Sequence, residues 1–84
     1  MEDLIKYLAS QIVSKPEEIK LRTEEKDRIY LYYLTVSPED MPRIIGKKGK
    51  TIQSLRHLIR IRSFKEKKKA VIVLEEEPEK ASGD

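Results

Sequence analysis

The chain has 84 residues, 38% of them hydrophobic, with one Phe, no Trp and no Cys, which supports one small domain with a thin core and excludes disulfides and thiolate metal sites. A single histidine, His57, likewise excludes a histidine metal cluster. The net charge is only +3, yet residues 43–69 hold 11 Lys or Arg against one acid, Glu66, while the remainder holds 7 basic and 14 acidic residues; a near-neutral chain that concentrates its cations in this way presents a polyanion site.

In chain order, residues 2–13 read as an amphipathic helix. Glu2 and Asp3 stand at its positive end, Leu4, Leu8 and Ile12 repeat every four residues, and Pro16 marks the stop. The opening MEDLIKYL lacks the basic and apolar regions of a signal peptide, so a cytoplasmic location is expected. Residues 18–23 alternate, with Ile19 and Leu21 on one face and Lys20 and Arg22 on the other, as a half-buried strand does. Residues 24–27 form a polar turn. Residues 28–36 are β-branched and aromatic on both faces, as in a central strand, with Tyr30, Tyr32 and Tyr33 as amphipathic filler.

Ser37-Pro38-Glu39-Asp40 reads as a helix start, with serine capping and proline in the first helical position. That helix is short, because Gly46 stops it after about two turns; Pro42 lies near its start, where a missing N–H costs little. A second helix spans residues 50–62. Ile52, Leu55, Leu58 and Ile59 form its buried stripe, opposite Gln53, Arg56, His57 and Arg60. Residues 63–69 form a basic loop and residues 70–75 a last strand. The acidic tail, residues 77–84, is expected to be disordered beyond a single domain of residues 1–76.

The informative stretch is RIIGKKGKTI, residues 43–52, which contains two of the three glycines in the chain. Glycine at both ends of a four-residue turn permits positive φ and leaves the main chain open. A helix beginning directly afterwards aims N–H groups and its positive dipole end at the space occupied by Lys47, Lys48 and Lys50. Lysine supplies charge without bidentate geometry, so the turn suits phosphate backbone and leaves sequence unread.

Two other motifs fail on spacing. Gly49-Lys50-Thr51 resembles the end of a P-loop, but that motif needs glycine where Ile44 stands, and a strand before the loop. A helix-hairpin-helix turn spaces its glycines by one residue, and here two intervene. His57 has no evident nucleophile partner, and the acids show no paired geometry, so no catalytic residue and no cofactor are expected.

Ile44 to Ile52 resembles the VIGxxGxxI signature of KH domains, whose GXXG loop clamps about four nucleotides. The element order resembles the type II form. Together with the VSPEDM lead-in and the chain length, it is similar to the small bacterial KhpA-type (YlqC family) RNA-binding proteins. The resemblance extends to about Glu76, and Pro42 departs from it, standing where a glycine or polar residue is expected. It implies an α+β fold, α-β-β-α-α-β, with a three-stranded mixed sheet packed against three helices. It also implies a non-catalytic protein that binds single-stranded RNA, in the role of an RNA chaperone or post-transcriptional regulator. The implied RNA site is Ile44, Gly46, Lys47, Lys48, Gly49, Lys50, Thr51 and Ile52, with Arg56 and Arg60 as further phosphate contacts. Ile44 or Ile45 and Ile52 would make an apolar floor, and the backbone near Val71 to Val73 would offer hydrogen bonds to bases. Pairing is implied too, as a homodimer or a heterodimer with a KhpB (Jag)-type KH protein. A protein-interaction subunit and a DNA-backbone binder are the alternatives.

Overall fold

A computed structural model describes residues 1–76; the expected disordered tail lies outside the described residues. The elements are α1 (Glu2–Ser10), β1 (Lys20–Lys26), β2 (Ile29–Thr35), α2 (Met41–Ile45), α3 (Lys50–Lys65) and β3 (Lys69–Glu75), with 3-10 turns at Pro16–Glu18 and Lys47–Gly49. β2 is central, antiparallel to β1 and parallel to β3. A parallel pair needs a crossover, and α2 and α3 supply it. The architecture is the α+β, mixed-sheet arrangement expected of a type II KH fold.

Paired residues share a face, so Tyr32, Leu34 and Ile72 lie on the helix side of the sheet. They meet Ile5 and Ala9 of α1, Ile44 of α2, and Ile52, Leu55 and Ile59 of α3 in one buried cluster. The other face carries Leu31, Tyr33, Val71 and Val73. Arg22 lies over the Tyr33 ring at 4.1 Å and pairs with Glu75 at 3.0 Å. Among the described residues, no helix is long and apolar enough to cross a membrane.

Several boundaries differ from the sequence reading. α1 ends at Ser10, whose hydroxyl donates to Tyr7 O at 2.6 Å, and Val13 reaches the core from the turn beyond. β1 starts at Lys20, after Pro16–Glu18 winds into a 3-10 turn, and runs on through Glu24–Lys26. The expected four-residue turn is therefore only Asp27-Arg28. Both residues have positive φ (52° and 67°), matching the mirror-image turn that the twist of a two-residue hairpin favours.

Ser37 does not cap α2. Its hydroxyl instead accepts Glu39 N–H at 3.3 Å, and its carbonyl accepts Asp40 N–H. This local turn delays the helix to Met41, placing Pro42 in its first turn. α3 extends to Lys65, three residues past the expected end, because buried Ser63 donates to Arg60 O at 3.0 Å and remains helical. Leu58, assigned to the buried stripe, is 48% exposed; Ile52, Leu55, Ile59 and Ser63 make a narrower stripe without it.

Candidate nucleic-acid interface

The sequence from Gly46 to Gly49 folds as a tight 3-10 turn in which Gly46, Lys48 and Gly49 all have positive φ (78°, 56° and 74°). Gly46 N–H closes α2 on Pro42 O at 2.8 Å, and Gly49 N–H returns to Gly46 O at 3.1 Å. Lys50 N–H bonds Lys47 O. Two of the donors expected to face a phosphate are thus taken up inside the turn, and Lys47 and Lys48 are its exposed residues.

The two glycines do different work. A β-carbon on Gly46 would collide with the side chain of Thr51, whereas one on Gly49 would meet nothing within 4 Å. Gly46 also has ψ near 173°, a region essentially restricted to glycine. Thr51 is therefore the half-buried floor beneath the turn rather than an outward-facing contact.

Lys47, Lys48 and Lys50 are exposed, and among the described residues none forms an ion pair. Lys48 holds a left-handed conformation that costs a side-chain-bearing residue about 1–2 kcal/mol. A lysine kept at such a backbone position points to a use for its charge.

The start of α2 is anchored by Asp40, whose side chain is fully buried. Its carboxylate accepts Ser14 N–H at 2.9 Å, Ser14 Oγ–H at 2.8 Å and Lys15 N–H at 3.0 Å. Arg43 Nε stands 3.4 Å from Oδ1. The Ser14 N–H is the largest influence holding the Asp40 carboxyl below its ordinary value, and together with the other donors and Arg43 it outweighs the opposing effect of burial. Asp40 thereby ties the segment after α1 to the start of α2. The sequence shows Asp40 only as part of a helix start and conceals this role; no local pattern joins it to Ser14, 26 residues away.

The apolar floor needs correction. Ile44 is fully buried and Ile52 is 5% exposed, so both side chains belong to the core. Ile45, the alternative to Ile44 as a floor residue, is 38% exposed. The chain enters α2 three residues later than expected, and helical phase alone decides which of two adjacent isoleucines points inward.

Arg56 and Arg60 are exposed on α3, as is His57. Arg56 is nonetheless engaged, since its Nε donates to Ile72 O at 3.3 Å. N–H and C=O of one strand residue point the same way, so Ile72 turns its polar edge outward, away from β2, while Val71 and Val73 turn theirs inward. Of the proposed strand contacts, the Ile72 N–H is the outward one.

The sequence is similar to those of known proteins. A family model described as "KhpA/KhpB, KH domain" matches residues 2–74. A Clostridium perfringens protein named RNA-binding protein KhpA is 33% identical over 72 residues, covering 86% of this chain and 96% of its own. A Listeria monocytogenes protein of the same name is 41% identical over 59 residues, covering 70% of this chain and 78% of its own. The chain belongs to the KhpA/KhpB family of KH-domain proteins.

Proposed function

We propose that this chain is a non-catalytic RNA-binding protein that grips the backbone of single-stranded RNA at Gly46–Gly49. The observation that carries the reading is Lys48, an exposed lysine with no acidic partner among the described residues, in a left-handed conformation between two glycines. The relatives named RNA-binding protein KhpA support the ligand class. Lys47, Lys48 and Lys50 neutralise phosphates, Ile45 offers apolar contact to a base, and the Ile72 edge offers a hydrogen bond. Arg60 is free to take a further phosphate, while Arg56 also braces α3 against β3. A role as an RNA chaperone or post-transcriptional regulator rests on the family resemblance.

One module clamps about four nucleotides, and linking two sites multiplies weak affinities. Leu58 and Ile61 are 48% and 50% exposed on α3, which favours pairing there, with a second copy or a KhpB (Jag)-type partner. The same observation supports the second reading, a subunit acting chiefly through protein contacts.

The test is the double variant Lys47→Asp/Lys48→Asp, measured against a fluorescent single-stranded RNA and its DNA counterpart. Loss of RNA binding with unchanged melting temperature and self-association is expected. Retained RNA binding would favour the interaction-subunit reading, and preference for DNA would overturn the RNA assignment.

A further inference from the structure

The basic segment that is continuous in sequence is divided in space. α3 is 16 residues long, about 24 Å, and separates Lys47, Lys48 and Lys50 at its start from Lys65 at its end and Lys67 and Lys69 beyond it. At this far pole Arg28, Phe64, Lys65, Lys67 and Lys69, with Asp27 as the one acid, line a concavity of about 510 Å³. Phe64 is 82% exposed. The nearby acid Glu66 is already paired with Arg62 at 3.2 Å.

Two cations here occupy backbone positions that favour glycine. Lys67, at φ 58°, follows α3 where Lys68 N–H returns to Ser63 O at 2.9 Å; a helix closed in this way usually has glycine at that position. Arg28, at φ 67°, fills the second position of the hairpin turn, where glycine is again preferred. The far pole therefore repeats the device seen at Lys48, a cation held in a left-handed conformation, and adds an exposed aromatic ring.

A track joins the two poles. Arg56, Arg60 and Phe64 stand at four-residue intervals and so share one flank of α3. The bond from Arg56 to Ile72 O fixes that flank beside the outer edge of β3.

We infer that the far pole is a second nucleic-acid contact, in which a base of single-stranded RNA stacks on Phe64 while Arg28, Lys65, Lys67 and Lys69 neutralise the adjoining phosphates. RNA held at the glycine turn continues along the Arg56–Arg60 flank to reach it. The ligand class rests on the RNA reading above; the site itself rests on its own residues. An aromatic platform flanked by cations fits single strands, because every base has a face to stack.

The test compares an RNA of about four nucleotides, the length one turn clamps, with one about four times longer. Phe64→Ala, at an exposed position, should leave the melting temperature unchanged and weaken the longer RNA about tenfold without affecting the short one. Lys65→Glu/Lys67→Glu should reproduce this length dependence. The inference is overturned if neither variant changes affinity for the longer RNA, if both lengths weaken equally, or if Phe64 governs binding only to anionic lipid vesicles. Unchanged short-RNA binding in Lys47→Asp/Lys48→Asp would sink the glycine-turn reading alone; the length-dependent loss at Phe64 is read independently of it.

Discussion

The side chain of Thr51 occupies the place where a β-carbon of Gly46 would lie. The first helical turn of α3 is thereby seated against the end of α2, and the glycine turn is a packed junction with an open outer side. Gly46→Ala should therefore lower the melting temperature and abolish RNA binding together, since it meets both a steric clash and a forbidden backbone region. Gly49→Asn should be nearly neutral, because asparagine tolerates the left-handed conformation and the space is open. Thermal melts and RNA titrations of the two variants check the asymmetry; equal behaviour would show that the junction is not packed as described.

Lys48 should set stability against binding. Lys48→Gly relieves the left-handed strain, and a rise in melting temperature of several degrees is expected. The same change removes a cation and should weaken RNA binding several-fold. A variant that is both less stable and unchanged in binding would contradict the role assigned to Lys48.

Asp40 should make stability depend on pH in the acid range. Its carboxyl is held below the ordinary value in the folded chain. It therefore contributes stability that is present above the unfolded value and lost as pH falls through the lower folded one, below about pH 4. Asp40→Asn should lower the melting temperature by more than about 5 °C at neutral pH, and the gap from the unaltered protein should shrink on acidification. A gap constant down to pH 2 would mean that the carboxylate charge is not what matters at this position.

Much of the fold is legible because its signals are local. The alternation and β-branching of residues 28–36 identify the central strand, and two glycines around two lysines identify the turn. The parts that escaped depend on contacts distant in sequence or on backbone conformations that composition conceals. Asp27-Arg28 makes a hairpin turn without the glycine or asparagine that would announce it, and Ser37 spends its hydroxyl on a local turn where a cap was expected. Ile45 and not Ile44 is the exposed member of the pair, because the phase of a five-residue helix is set by where it begins. Leu58 fits a helical stripe by spacing, yet it stands 48% exposed while Ile52, Leu55 and Ile59 are buried. The run of lysines from 65 to 69 reads as a solvated loop until the extension of α3 places it at the opposite pole from the glycine turn.

The central claim, that Lys47 and Lys48 hold RNA by its phosphates, is tested most directly by the salt dependence of binding to the short oligomer. With about three phosphates neutralised on the short strand, log K should fall with log salt at a slope of about −2. In Lys47→Ala/Lys48→Ala the slope should become shallower by about 1.4, two contacts at about 0.7 each. An unchanged slope in the double variant would show that neither lysine contacts a phosphate, and would contradict the account.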